Sequence, residues 1–225
     1  MKYFLDSAKL DEIEEAYTTF GIDGVTTNPR HIQASGKSFM NAIEGMAKWA
    51  ADKKLADYQA FPISVEVNPH IENTDEMVSE ARKIAAMSKN FVIKIPCIAP
   101  GVAASRILEA EGIRTNVTLV FSPSQAMAAG RNRALFVSPF LGWKEANGED
   151  AAPYIQRIAD IYRIQRYPTE IICAAVRTGK QIADCAAAGA HIITAGIAVY
   201  KDSFKHPYTR DGLEMFRDAW DNTKR

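Results

Sequence analysis

Eight short apolar runs alternate with helical patterns along almost the whole chain. Short runs rich in β-branched and aromatic residues are typical of strands, and their alternation with helices favours a parallel sheet. Eight parallel strands close a (β/α)₈ barrel, and an open doubly wound sheet is the main alternative. No G-x-G-x-x-G motif follows an early strand, so the sequence favours the barrel. The predicted strands are residues 2–7, 24–29, 62–67, 91–97, 115–121, 134–140, 170–176 and 191–196.

Charge and cysteine usage exclude several classes of protein. The 225 residues include 27 basic and 27 acidic side chains, so the net charge of +0 gives no general attraction for nucleic acid or an anionic membrane. The amino terminus lacks a signal-peptide pattern, and no apolar run approaches the length of a membrane span. Cys97, Cys173 and Cys185 are not clustered with histidines, so we expect neither disulfides nor a structural zinc site. These features predict a cytoplasmic protein.

We predict a single barrel domain over residues 1–225, including a helical tail at about 208–225. The tail is amphipathic and contains Phe216 and Trp220. An apolar helix face needs a surface to cover it, so we expect the tail to pack on the barrel or on a neighbouring subunit of a homo-oligomer.

A single lysine lies in the middle of the apolar run FVIKIPC, residues 91–97. Lys94 could pack its stem at a strand edge and keep its ammonium group in water. In a closed apolar barrel, however, loss of hydration favours the neutral amine, which can attack a ketone and form a Schiff base. The two alternatives predict a surface lysine or a catalytic one.

Polar residues occur in or near the C-terminal half of six predicted strands. Active sites of (β/α)₈ barrels are assembled at that end, so a shared site explains this distribution better than six separate surface positions. The residues concerned are Asp6, Thr26, Asn28, Glu66, Lys94, Asn116, Thr118 and Ser138, with Phe140 closing the sixth strand.

These residue types suit retro-aldol chemistry on a keto sugar. Asp6 and Glu66 are available for proton transfer, Asn28 and Asn116 could hold sugar hydroxyls, and Thr118 could orient a water against Glu66. The four histidines are scattered and suggest no metal site; we expect a packed position in the core for His191 and a surface position for His206.

Six segments, in this order, resemble the transaldolase family, which includes the fructose-6-phosphate aldolases: LDS, GVTTNP, SVEV, VIKIP, EGIRTNVTLVFSPSQA and SPFLGW. The resemblance implies a class I (β/α)₈ enzyme without a cofactor. It implies that Lys94 forms the Schiff base, that Asp6 acts on the C4 hydroxyl, and that Glu66 and Thr118 hold the catalytic water. The residues implied to line the dihydroxyacetone pocket are Thr26, Asn28, Asn116 and Ser138.

Two positions separate the subgroups of this family. The small aldolases carry glutamine at the Glu66 position and a catalytic tyrosine at the Phe140 position. Glu66 and Phe140 therefore favour a transaldolase, in which the three-carbon unit passes to an aldehyde acceptor. An aldolase that releases dihydroxyacetone and a non-catalytic barrel that binds sugar acids are the alternatives.

The far end of the donor site departs from the phosphate-using members of the family. Trp143 stands where they carry an arginine, Ala175 replaces a serine, Arg177 keeps a positive charge, and the loop after GVTTNP carries Arg30 and His31. A phosphate monoester carries about −1.5 to −2 charge at pH 7, whereas a sulfonate carries one negative charge.

We therefore expect Arg30, Trp143 and Arg177 to frame a sulfonate pocket, with Ser138 and Lys144 as further candidates. The segments TTNPRHI and SPFLGWKE resemble a sulfonate-using branch of this family. This resemblance implies transfer of dihydroxyacetone from 6-deoxy-6-sulfofructose to glyceraldehyde 3-phosphate, with erythrose 4-phosphate as the alternative acceptor. An ordinary sugar-phosphate donor with a rearranged anion site is the alternative.

Overall fold

A computed structural model describes residues 1–223 and contains a closed barrel in which strands β1 to β8 follow one another in chain order. Every neighbouring pair is parallel, including the pair of β8 with β1 that closes the barrel. The (β/α)₈ prediction is confirmed. The strands are β1 Lys2–Asp6, β2 Gly24–Thr26, β3 Ile63–Glu66, β4 Phe91–Pro96, β5 Thr115–Val120, β6 Phe136–Pro139, β7 Glu170–Val176 and β8 Ile192–Ala195.

Helices cover the outside of the barrel, and two of the connections contain a short additional helix near the C-terminal ends of the strands. They are α1 Leu10–Phe20, α2 Pro29–Ala34, α3 Phe39–Asp52, α4 Thr74–Ala85, α5 Ala99–Ala110, α6 Pro123–Arg131, α7 Gly142–Ala146, α8 Ala151–Gln165, α9 Gly179–Ala187, α10 Ile197–Ser203 and α11 Pro207–Asp221. Within the described chain, residues 1–223, no helix has both the length and the apolarity needed to cross a membrane.

The N-terminal end of the barrel interior is filled by a small apolar cluster. Phe4 packs edge to face on Phe136, with their ring centroids 5.7 Å apart. Gly24 leaves the space that the Phe4 ring occupies, because a Cβ at this position would lie 2.7 Å from that ring. The buried members of the cluster are Phe4, Val92, Phe136, Ile172 and Ile192.

Two strands are interrupted by irregularities near the C-terminal end of the barrel. The register of β5 shifts between Val117 and Val120, and that of β7 shifts between Cys173 and Val176. Leu119 and Ala175 lie at these shifts with φ angles of 56° and 59°, which are unusual for residues with a side chain. Such bulges redirect neighbouring side chains and often occur beside active sites.

The C-terminal helix differs from one of our expectations. Across Pro207–Asp221, α11 buries none of its residues against the barrel, and Phe216 is 67% exposed. Packing of the tail on its own barrel is therefore wrong for this helix. Trp220 is also exposed, and residues 224 and 225 of the predicted tail lie outside the described residues.

The two histidine predictions had different outcomes. His191 is exposed rather than packed in the core, because it precedes β8 at the N-terminal rim of the barrel, where its Nδ1 accepts a hydrogen bond from the Ile171 amide. The surface position predicted for His206 is confirmed, and its side chain accepts a hydrogen bond from Tyr208 N at the start of α11.

Candidate active site

A cavity of about 530 Å³ opens at the C-terminal end of the barrel. It brings together residues that are far apart in the sequence and come from all eight strands and from the loops and short helices that follow some of them. Asn116 and Thr118 are fully buried and are not among the lining residues. The predicted residues that line the cavity are Asp6, Thr26, Asn28, Arg30, Glu66, Lys94, Ser138, Phe140, Trp143 and Arg177.

Lys94 points into the barrel and is only 4% exposed, so the surface interpretation is wrong. The parallel register of β3 and β4 places Glu66 beside it, and Nζ lies 3.2 Å from Glu66 Oε2. Nζ also donates a hydrogen bond of 2.9 Å to the carbonyl of Thr27. The neighbouring carboxylate is the nearest group that could accept a proton from Nζ and release the amine as a nucleophile.

Asp6, at the end of β1, is held through both of its carboxylate oxygens. Thr26 Oγ1 donates to Oδ1 at 2.9 Å, and His31 Nε2 lies 3.1 Å from Oδ2. Burial alone raises the pKa of Asp6, but the hydrogen bond and charge of His31, together with the charge of Lys94, outweigh it and hold this pKa below its ordinary value. Asp6 is therefore ionised at neutral pH and able to accept a proton.

A buried chain of hydrogen bonds lies below the cavity. Ser138 Oγ donates to Asn116 Oδ1 at 2.7 Å, and Asn116 Nδ2 donates to Ser64 Oγ at 3.1 Å. The Asn116 amide therefore positions the Ser138 hydroxyl, which faces the cavity. Thr118 Oγ1 is buried and has no hydrogen-bond partner within residues 1–223, and a buried hydroxyl of this kind is a typical site for an ordered water.

Asn28 has a structural task in addition to lining the cavity. Its Oδ1 accepts hydrogen bonds from the backbone N–H groups of Arg30 and His31 and so caps α2, while Pro29 occupies the first turn. Because Asn28 and Pro29 begin α2, β2 ends at Thr26, whereas the sequence predicted a strand that continues to residue 29. Only the Asn28 amide nitrogen remains available for a ligand.

The mouth of the cavity has an aromatic wall and two cationic groups. The Trp143 ring stacks on Phe121 at 5.6 Å and contacts Phe140 edge to face at 5.8 Å. Among the described residues, neither Arg30 nor Arg177 forms an ion pair with an acidic side chain. Unpaired guanidinium groups at the mouth of a cavity are suited to bind an anion.

The backbone around Trp143 and Arg177 is closely fitted. A Cβ on Gly142 would lie 2.4 Å from the carbonyl oxygen of Ala175 and 3.0 Å from Arg177 Nε. Gln181 Oε1 accepts from the Arg177 amide at 2.6 Å, and Gln181 Nε2 donates to Glu145 of α7. The helix that carries Trp143 is thus linked to the loop that carries Arg177.

Lys144, a further candidate for the predicted sulfonate pocket, is not among the residues that line the cavity. Its Nζ pairs with Glu149 at 2.5 Å and lies 5.1 Å from the centroid of the Tyr154 ring, so the side chain turns away from the cavity.

Sequence reasoning missed several members of the site. Thr27 acts through its backbone carbonyl, which no residue pattern reveals. Thr194 contacts Thr26 with 2.6 Å between the hydroxyl oxygens, and Leu119 and Ala175 reach the cavity through the bulges. The sequence marks His31 only as an unusual loop residue, although its place shortly after β2, at the end of the barrel where active sites form, is a signal that it could face the site.

The sequence profile of the transaldolase/fructose-6-phosphate aldolase family matches residues 3–225. The chain belongs to this family. Similar members include proteins named 6-deoxy-6-sulfo-D-fructose transaldolase from Priestia aryabhattai and Priestia megaterium, each 57% identical over 99% of this chain and 96% of theirs. A transaldolase-family member from Listeria monocytogenes, named "Probable transaldolase 1", is 41% identical over the full length of both chains.

The barrel fold also agrees with a solved structure. A Coccidioides immitis protein provisionally named a fructose-1,6-biphosphate aldolase superposes with a TM-score of 0.59 over 93% of this chain and 83% of its own. At 13% identity this likeness supports the barrel fold alone.

Proposed function

We propose that this member of the family is a Schiff-base transaldolase whose donor is 6-deoxy-6-sulfofructose and whose acceptor is glyceraldehyde 3-phosphate. The products would be sulfolactaldehyde and fructose 6-phosphate. The observation that carries the proposal is the buried Lys94–Glu66 pair, which shares one cavity with Arg30, Trp143 and Arg177. The names of the two Priestia relatives supply the donor class.

The first steps join the donor to the enzyme. Transfer of a proton from Lys94 to Glu66 frees the amine, which attacks the C2 carbonyl of the ketose. The resulting carbinolamine loses its hydroxyl as water and becomes a protonated imine. Glu66 is 3.2 Å from Nζ and can return the proton to the departing oxygen.

The next step breaks the C3–C4 bond. Asp6 accepts the proton of the C4 hydroxyl, the C4–O electrons form the aldehyde, and the electrons of the broken bond pass to the imine, which becomes an enamine. After sulfolactaldehyde leaves, C3 of the enamine attacks the acceptor aldehyde, and Asp6 returns its proton to the new hydroxyl. Water held by Glu66 and Thr118 then hydrolyses the imine and releases fructose 6-phosphate.

Arg30, Trp143 and Arg177 are proposed to bind the terminal anion. Two guanidinium groups and an indole N–H provide two full positive charges and a neutral donor. Two guanidinium groups can bind a sulfonate or a phosphate, so the sulfonate donor is inferred from the names of the Priestia relatives, and the acceptor phosphate would use the same place in the second half of the reaction. Ser138 and Asn28 remain for the hydroxyls of the three-carbon unit.

A comparison of donors tests the proposal. We expect transfer from 6-deoxy-6-sulfofructose to exceed transfer from fructose 6-phosphate in kcat/KM, and borohydride to trap either donor at Lys94. A strong preference for the phosphate donor would contradict the sulfonate assignment. Rapid turnover without an acceptor would indicate an aldolase, and the absence of a trapped adduct would indicate a barrel that only binds sugar acids.

We also propose that the chain forms a homo-oligomer in the cytoplasm. The apolar surface of α11 could be covered by a second copy, and its exposed residues are Tyr208, Leu213, Met215 and Phe216. The location is supported by the three cysteines, Cys97, Cys173 and Cys185, which are free thiols, as a reducing compartment would maintain them. Light scattering of wild type and of Leu213→Glu/Phe216→Glu tests the assembly: we expect a multimer that dissociates in the double variant, whereas a monomeric wild type would refute it.

A further inference from the structure

His31 is the one histidine among the described residues that faces the cavity, and its side chain is 32% exposed. It lies in the first turn of α2, where Asn28 fixes its backbone N–H. The ring reaches β1 and places Nε2 at 3.1 Å from Asp6 Oδ2. Because an ionised carboxylate can only accept hydrogen bonds, Nε2 carries the proton in this contact.

The second oxygen of Asp6 is held from the other side. Thr26 Oγ1 lies 2.9 Å from Oδ1 and 2.6 Å from Thr194 Oγ1. A hydroxyl has one proton, so Thr26 donates to Asp6 when Thr194 donates to Thr26. The carboxylate therefore receives one donor on each oxygen, and each oxygen keeps a lone pair for a substrate hydroxyl.

We propose that His31 is a positioning residue for donor cleavage, in which its Nε2–H holds Oδ2 of Asp6 and aims the carboxylate at the C4 hydroxyl of the ketose. This inference rests on the proposed function, because it assigns Asp6 the C4 proton. His31 itself neither gains nor loses a proton in the step. Without it, Asp6 is held on Oδ1 alone and can rotate away from the substrate.

The contact also keeps Asp6 ionised. Burial raises the pKa of Asp6, and the hydrogen bond and charge of His31 lower it. Removal of His31 leaves the burial in place, so the pKa of Asp6 rises and the acidic limb of the rate profile moves to higher pH. The other ionisable groups around the pair stay the same in such a variant: Lys94, Glu66, Arg30 and Arg177 in the cavity and Tyr200 behind Asp6.

The main experiment compares His31→Leu with wild type in transfer from 6-deoxy-6-sulfofructose to glyceraldehyde 3-phosphate between about pH 4 and 9. We expect kcat to fall by about 10- to 100-fold with little change in donor KM, and the acidic limb to move to higher pH. Borohydride trapping at Lys94 should persist, because imine formation does not use His31. Gln33→Leu, an exposed position on the same helix, is the matched control and should leave rate and profile unchanged.

Two polar variants separate positioning from a general structural effect, and they also serve if His31→Leu does not fold. Gln can place an amide N–H near the position of the imidazole Nε2, whereas Asn is too short to reach it. We expect His31→Gln to recover most of kcat and His31→Asn to remain slow. Equal rates in these two variants would overturn the inference.

Other outcomes would also overturn it. A wild-type kcat and pH profile in His31→Leu would show that Asp6 needs no second donor, and a rise in donor KM alone would place His31 in the anion pocket. These outcomes can be distinguished from failure of the proposed function, because in that case the wild-type enzyme itself would show no transfer from the sulfonated ketose.

Discussion

The two ends of the barrel interior are built from the same strands but hold opposite kinds of side chain. At the N-terminal end, Phe4, Val92 and Phe136 pack in an apolar cluster. Two residues further along the same strands, Asp6, Lys94 and Ser138 line the cavity. Because i and i+2 share a face of a strand, both sets point inward and differ only in height.

The N-terminal end of the barrel interior therefore contributes mainly to the stability of the fold, and the C-terminal end contains the groups proposed for catalysis. The apolar end contributes burial free energy and fixes the strands, while the polar end contains charges whose burial costs free energy unless they are paired. The pairs Lys94–Glu66 and Asp6–His31 offset that cost. Substitutions at the two ends should therefore affect different measurements.

Lys94→Met should have the largest effect, because no other described lysine lines the cavity and no amine then remains to attack the C2 carbonyl of the donor. We expect transfer to fall by at least about 10⁴-fold, to the limit of detection, with no adduct after borohydride treatment. Circular dichroism should show an intact fold. Substantial residual transfer would contradict the role of Lys94.

Glu66→Gln should be next in size. The amide keeps the shape of the side chain but cannot accept a proton from Lys94 or from water, so we expect kcat to fall by about 10²-fold or more. A single-turnover measurement should place the loss in imine formation and hydrolysis rather than in C3–C4 cleavage. An unchanged rate would argue against proton transfer through Glu66.

Phe136→Ala tests the opposite end on the strand that also carries Ser138. Removal of this buried ring should lower the free energy of unfolding by about 3–5 kcal/mol, measured by denaturant titration. The folded fraction should keep nearly wild-type KM, since the cavity lies above the cluster. A large change in KM without a loss of stability would contradict the conclusion that the apolar end affects stability and not substrate binding.

Gly142→Ala should have the smallest effect and probes the mouth of the cavity. The added methyl group would lie 2.4 Å from the Ala175 carbonyl, so the backbone beside Arg177 must shift. We expect donor KM to rise by about tenfold with a smaller change in kcat. Gly148→Ala is not a suitable comparison because its φ is 80°; Gly212→Ala, in open space on α11, is the matched control.

Much of the site could be predicted because strand periodicity is a local property. The alternation of side chains along β3 and β4 predicts that Glu66 and Lys94 point into the barrel. The parallel register of the two strands then places these residues side by side. The prediction for the anion pocket came from the resemblance and included Lys144 as a further candidate, but its Nζ pairs with Glu149 and lies beside the Tyr154 ring. A position in the sequence does not show to which side a residue in a one-turn helix will turn.

The sequence by itself determined the number of strands, their order and which residues face the interior, because these follow from hydrophobic periodicity and short connections. Only the tertiary structure decided which polar groups meet: the contact of His31 with Asp6, the Thr27 carbonyl at Lys94 and the bulges at Leu119 and Ala175. These contacts join residues of different strands and loops through distances and angles that are set when the barrel closes. The exposed face of α11 has the same origin, since its amphipathic pattern does not specify which molecule covers it.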